Sequence, residues 1–266
     1  TGDMDDLLSS VDIVVDCTPK NIDGDKKGRY LSKGVKAIFQ GGESADIGQS
    51  FVAQCNYDEL LNEDYIRVVS CNTTGLCRTL GAIDDVFGIE MVHATMIRRA
   101  ADPWDIRHGP INAIVPTLSL PSHHGPDVRT VIPHLNIFTT SVSVPTTLMH
   151  MHSLTIDLEQ KIEVHEAVDL LNSTSRVRMV RNSDGIRSTA EIMEYAKDLG
   201  RSRGDMPEVC VWEDAVGVFE DKLFYLQAVH QESDVVPETV DAIRASVGAC
   251  SAEESISKTN LTMGIR

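Results

Sequence analysis

Apolar residues fall into short runs between polar segments, and their spacing changes along the chain. Val11 to Asp16, Val35 to Phe39, Phe51 to Cys55 and Tyr65 to Val69 each read as a brief strand. Helix-compatible polar stretches lie between them, and this alternation predicts a parallel sheet over residues 1–69. Leu76, Leu80, Ile83 and Phe87 then recur at helical spacing. Ile89 to Ile97 is a strand, and Ile137 to Pro145 with Thr147 to Leu158 reads as a long antiparallel pair or meander. Helices are expected around Ile162 to Leu171 and from Thr189 to Leu199, with a strand at Arg176 to Val180 between them. Glu208 to Val211 and Leu223 to Val229 are further strands. Pro237 suits the first turn of a helix that continues through Val240, Ile243 and Val247, and a last short helix begins near Ser251.

Composition narrows the class. A chain of 266 residues with 42% hydrophobic content can bury one large core or two ordinary ones. No apolar run approaches a membrane span, and the start does not read as a signal peptide. Six cysteines lie scattered without C-x-x-C spacing, which argues for reduced thiols in a cytoplasm and against a zinc site. The formal net charge of −16 disfavours nucleic acid and anionic membranes as partners. An anionic substrate would therefore need a local basic pocket, which draws attention to clustered arginines and histidines.

Cys71 follows the Tyr65–Val69 strand and precedes Asn72, Thr73 and Thr74, all good helix N-cap residues. A thiol at a helix start faces unpaired N–H groups and the positive end of the dipole, which lowers its pKa and can hold an oxyanion. Spacing alone favours the plainer reading, a buried structural cysteine. Arg98 and Arg99 offer forked donors for phosphate, or are a solvated pair. His123 and His124 sit in a loop bounded by proline and glycine, where a core role is not expected. His150 and His152 share one face of a strand with Leu148 and Leu154, and are either core groups or a base. Thr18-Pro19 and Gly41-Gly42 fall at strand ends, where parallel sheets bind ligands, although a glycine pair is also an ordinary loop.

The string Ser70-Cys71-Asn72-Thr73-Thr74-Gly75-Leu76 resembles the active-site peptide of glyceraldehyde-3-phosphate dehydrogenase. Val69 and Cys77-Arg78-Thr79-Leu80 resemble the archaeal, type II branch. Asp16-Cys17-Thr18-Pro19, Ile38-Phe39-Gln40-Gly41-Gly42, Arg98-Arg99-Ala100-Ala101-Asp102-Pro103, Pro121-Ser122-His123-His124-Gly125 and His230-Gln231-Glu232-Ser233-Asp234 resemble further segments of that family, in its order. The resemblance implies an α/β plus α+β fold. An incomplete Rossmann-type parallel-sheet domain over 1–69 would be followed by a catalytic domain with an antiparallel sheet over 70–235. A C-terminal helix over 236–266 would return to the dinucleotide-binding domain. It also implies a cytoplasmic homotetramer that uses NADP or NAD, glyceraldehyde 3-phosphate and inorganic phosphate, with no resident metal.

By the same resemblance Cys71 is the nucleophile, and Ser70, Asn72, His123 and His124 bind substrate with it. Gly41, Arg99 and Gln231 contact the cofactor, and His150 is the candidate base. A thioester on Cys71 would be the intermediate attacked by phosphate. No G-x-G-x-x-G occurs and the chain begins at Thr1. On the order of two βαβ units, ~60 residues, are therefore expected to be missing in front, leaving weak or absent turnover for these residues alone. Alternatives are a related semialdehyde dehydrogenase, a cysteine hydrolase and a non-catalytic fragment.

Overall fold

The computed structural model describes residues 2–18, 25–40, 42–101 and 109–265. Gly41 lies outside the described residues, as do Pro19, Asp102 and Pro103 of the motifs above. Contacts divide the chain into two units, Thr1–Ser70 with Val235–Gly264, and Cys71–Asp234 with the last two residues.

Along the chain the first unit runs α1 (Met4–Leu8), β1 (Ile13–Asp16), α2 (Lys26–Lys33), β2 (Lys36–Phe39), β3 (Gln49–Phe51), α3 (Ala53–Asn56) and β4 (Tyr65–Val68). The second runs α4 (Cys71–Phe87), β5 (Ile89–Arg99), β6 (Val115–Pro116), α5 (His124–Val128), β7 (Ile137–Val144), β8 (His150–Leu158), α6 (Val164–Ser173), β9 (Val177–Val180), α7 (Thr189–Asp198), β10 (Val209–Trp212), β11 (Gly217–Phe219) and β12 (Lys222–Val229). The chain then returns to the first unit through α8 (Val236–Ser246) and α9 (Ala252–Met263).

The first unit holds a parallel sheet in the order β1-β2-β4-β3. Ile38, Ile66 and Val68 pack on one face with Tyr57 and with Ala242 and Ala245 of α8. Ala37 and Phe39 pack on the other with Leu8 and Tyr30. Coverage on both faces explains why Ala37, Ile38 and Phe39 of β2 form an unbroken buried apolar run. The strand expected over Phe51 to Cys55 stops at Phe51. Side chains there take the backbone groups that a ladder would need. Asn56 accepts from Val52 N–H at 3.1 Å and donates to the Ser50 carbonyl at 2.8 Å, and Glu238 accepts from Ala53 N–H at 2.7 Å. A short helix follows in place of the strand. The last helix is longer than expected, 12 residues, ending at Gly264 in the left-handed conformation (φ 63°) that glycine adopts without strain.

The second unit is built on an eight-stranded mixed sheet, β6-β7-β5-β8-β12-β10-β9, with β11 pairing β12. β7 and β8 were expected to pair with one another, but β5 lies between them, parallel to β7 and antiparallel to β8. Five residues between β7 and β8 cross that gap easily, since two strand spacings are only about 10 Å. At eleven residues, β5 is long enough to offer a full edge to each neighbour.

Helix α4 packs against β5, β12 and α5. Every residue from Cys71 to Leu80 is buried, so its first turns are enclosed on all sides and its polar groups need internal partners. Thr73 donates to Asp127 at 2.6 Å, and Arg78 donates to the carbonyls of Pro207 (2.7 Å) and Asp234 (2.6 Å). A Cβ on Gly75 would lie 2.3 Å from Val229 Cγ1, so the close approach of α4 to β12 requires glycine there.

Candidate active site

Helix α4 begins at Cys71 itself, ahead of the cap-type residues that follow it. The cysteine thus occupies the first turn, and the backbone N–H of Asn72 donates to its sulfur. The helix start was expected to lower the thiol pKa. Burial instead pushes it well above the ordinary range, reinforced by the Asp234 carboxylate, while the Asn72 N–H, Arg99 and Arg98 oppose that rise. Only 8% of Cys71 is exposed, so desolvation outweighs the dipole.

β8 alternates, and its buried positions His150, His152 and Leu154 face the same side as Tyr225, Gln227 and Val229 of β12, to which they are paired in register. His150 Nδ1 accepts from the backbone N–H of Arg99 at 3.0 Å, so the neutral ring carries its proton on Nε2. The Gln231 side chain also bonds this ring. Burial, then the charges of His152, Arg98 and Arg99, bring His150 down to about 3, and burial alone brings His152 to about 3. His152 Nε2 meets Asn72 Oδ1 at 2.8 Å, and its Nδ1 meets Gln227 Nε2 at 3.0 Å.

His123 and His124 behave differently from one another. His123 is exposed and caps α5, while His124 is 1% exposed, correcting the expectation that neither belongs to the interior. Their rings stack with centroids 4.0 Å apart. The hydrogen bonds around His124 define its tautomer. Thr139 Oγ1 donates to the Ser122 carbonyl (2.9 Å) and so accepts from Ser122 Oγ (2.8 Å). Ser122 Oγ, its proton spent, accepts from His124 Nδ1 at 3.1 Å. The neutral ring therefore has an unprotonated Nε2. Burial first, then neighbouring cations, lowers His124 to about 2.

Arg99 is buried and ion-pairs with Glu232, whose other oxygen lies 3.2 Å from His230 Nε2. Burial raises Glu232, but His230 and Arg99 more than offset it, bringing the carboxyl to about 2. Arg98 Nε is buried and has no hydrogen-bond partner among the described residues. Its charge acts on Cys71, His124 and His150 alike. One thiol, two arginines and three neutral imidazoles thus cluster in the second unit. An apolar groove lined by Met149, Met151, Trp212 and Leu226 lies on the opposite face of the sheet.

Residues 70–215 match the family described as glyceraldehyde 3-phosphate dehydrogenase, C-terminal domain. The chain is also similar along its length to proteins named glyceraldehyde-3-phosphate dehydrogenase. It is 56% identical to that of Methanothermobacter thermautotrophicus, covering all of this chain and 80% of the relative. It is 53% identical to that of Methanococcoides burtonii, covering all of this chain and 79% of the relative. The Pyrococcus furiosus protein is 52% identical over 99% of this chain and 78% of its own length. The chain belongs to the glyceraldehyde-3-phosphate dehydrogenase family.

As a member of that family it is an oxidoreductase, and its relatives here come from archaea. Cys71, Asn72, Arg99, His123, His124, His150 and Gln231 all belong to the second unit. Ser70, half-buried, belongs to the first and precedes Cys71 directly in the chain. Sequence reasoning overlooked Gln227 and Glu232. Gln227 had a signal, a lone amide in the alternating series Leu223, Tyr225, Val229. Glu232 had none beyond its motif. Among the described residues no group of three or more His, Cys, Asp or Glu is placed to hold a metal, and no helix is long and apolar enough to cross a membrane.

Proposed function

We propose that this chain carries the phosphorylating oxidation of D-glyceraldehyde 3-phosphate to 1,3-bisphosphoglycerate, in glycolysis or gluconeogenesis, through a thioester on Cys71. The observation that carries the reading is the placement of Cys71 in the first turn of α4, with the Asn72 N–H on its sulfur and Arg98 and Arg99 acting on it. The Cys71 sulfur bonds the aldehyde carbon as its proton passes to the aldehyde oxygen, giving a hemithioacetal whose oxygen N–H donors would hold. Oxidation of that carbon to the thioester would release the hydroxyl proton to solvent and pass the hydride to a nicotinamide, when one is bound. His150 keeps its proton on Nε2, the nitrogen left for the Gln231 side chain. Its Nδ1 lone pair is spent on Arg99 N–H, so the role of base expected for it does not suit this arrangement. Phosphate then attacks the thioester carbon, and Cys71 leaves.

Arg98, with Nε unpartnered among the described residues, supplies the cation for phosphate. His124, neutral with a bare Nε2, suits a substrate hydroxyl better than a phosphate. The donor set fits a nicotinamide nucleotide. Gln231 brings a half-buried amide bonded to the His150 ring, and Arg99 brings a cation fixed by Glu232. These two would hold NAD or NADP, which supplies the hydride acceptor when bound. A cytoplasmic homotetramer is the assembly we propose, on the family resemblance. These 266 residues contain no G-x-G-x-x-G loop, and weak turnover is expected of them alone.

A test that does not depend on the cofactor is substrate shielding of the thiol. Glyceraldehyde 3-phosphate should slow iodoacetamide labelling of Cys71 and leave the exposed Cys17 unchanged. Equal labelling of Cys71 with and without the aldehyde overturns the nucleophile assignment.

A further inference from the structure

We infer that His152 is a positioning residue that carries no proton in the reaction, and that its task is to orient the side chain of Asn72 beside the nucleophile. The inference rests on the reading of Cys71 as nucleophile. It starts from a backbone carbonyl, which can only accept. Gln227 Nε2 lies 3.1 Å from the Gly75 carbonyl, so the amino end of that amide must face it. The same amino group lies 3.0 Å from His152 Nδ1, which must therefore accept. The opposite end of the amide agrees. Gln227 Oε1 accepts from Thr79 Oγ1 at 2.9 Å, and Tyr225 OH donates to Thr79 Oγ1 at 3.0 Å.

With Nδ1 accepting, the neutral ring of His152 bears its proton on Nε2. That N–H donates to Asn72 Oδ1 at 2.8 Å, which identifies the oxygen end of the Asn72 amide. Its N–H2 end points elsewhere, as a pair of donors adjacent to Cys71 in the chain. Every ring nitrogen of His152 is thus committed, and the residue is fully buried. A charged ring would have to place a second N–H against the Gln227 amino group, a donor against a donor. Flipping Gln227 to relieve that clash would set its oxygen against the Gly75 carbonyl. Tyr225, Thr79, Gln227, His152 and Asn72 therefore form one directional relay whose last member flanks the sulfur.

Two measurements test this. Long-range nitrogen–proton NMR of the wild-type chain should report the Nε2–H tautomer of His152, unchanged from pH 8 to pH 5. A protonated ring or an Nδ1–H tautomer overturns the inference without any variant having to fold. The second is the shielding of Cys71 by glyceraldehyde 3-phosphate. His152→Leu should weaken it about tenfold, the cost of one buried hydrogen bond, while His152→Gln, with one acceptor and one donor end, recovers most of it. Asn72→Ala should weaken it similarly, and adding His152→Leu to Asn72→Ala should do nothing more, because one relay serves both. Additive losses, or undiminished shielding in His152→Leu, overturn the positioning role. Absence of shielding in the wild type counts against the nucleophile reading instead, so the two failures are distinct.

Discussion

In the first unit Asp16 is a buried carboxylate that keeps its charge, whereas in the second His150 and His152 are buried imidazoles that give theirs up. Asp16 accepts from Thr18 N–H at 2.9 Å, Thr18 Oγ1 at 2.6 Å and Tyr30 OH at 2.9 Å, with Lys26 at 3.8 Å. Burial raises its pKa, but those donors and Lys26 together take it below the ordinary 3.8. The histidines receive backbone and amide N–H groups at a ring nitrogen, partners that reward only the neutral ring. Burial opposes the charge in both cases and dominates at the histidines, whereas at Asp16 the donors and Lys26 outweigh it, so donor partners let a buried group keep its charge.

The largest expected effect is on acid stability. His124, His150 and His152 fall to about 2, 3 and 3 in the folded chain, from an ordinary 6.5. Between pH 6.5 and about 3 the unfolded chain binds protons that the native state refuses, so stability falls as pH falls, by about 1.4 kcal/mol per unit for each histidine. Asp16 runs on a different scale. Its stabilisation is complete above its unfolded value of 3.8 and is lost only as the pH falls through its lower folded value. All nine histidines and both tryptophans lie in residues 71–234. The urea midpoint followed by tryptophan fluorescence should therefore drop from pH 6.5 to pH 4, while pulse labelling of Cys55 in the first unit holds steady. Parallel drops would break the contrast.

A smaller effect sharpens it from the other side. Asp16→Ala removes the acceptor of three hydrogen bonds and leaves Tyr30 OH without that partner, at a cost of about 3 kcal/mol. The Cys55 labelling midpoint should shift accordingly; an unchanged midpoint would mean the carboxylate is not compensated as described. Smaller again is Gly75→Ala. The added methyl meets Val229 Cγ1 at 2.3 Å and lies 3.7 Å from His152 Cε1, so about 2 kcal/mol of overpacking is expected. Helix propensity alone predicts the opposite sign, a gain of about 1 kcal/mol from replacing a helical glycine. The tryptophan-detected midpoint decides between them.

The same two regions differ in how openly the sequence declares them. In the first unit the β-branched runs and polar spacers translate almost directly into strands and helices, and the error at Phe51 to Cys55 came from Asn56 and Glu238 taking local backbone groups. In the second unit the strands of residues 137–158 were legible one by one, but their partners were not, because β5, whose Val92 pairs with Ile137 and Ile156, entered between them from far upstream. The members of the site were legible through a resemblance to known peptides. Their protonation states were not, and the expected low pKa of Cys71 failed because the helix start lies inside the core.

Periodicity, chain polarity and the junction of strand and helix at Cys71 are local properties, written within a few residues of one another, and the amino-acid order was enough to determine them. Which nitrogen of each imidazole holds a proton depends on donors that are distant in the chain. Gln227 stands 75 positions from His152, and the Arg99 N–H stands 51 from His150. Only packing of β5, β8, β12 and α4 brings those groups within 3 Å, and at that range a single N–H or lone pair decides the chemistry of the ring.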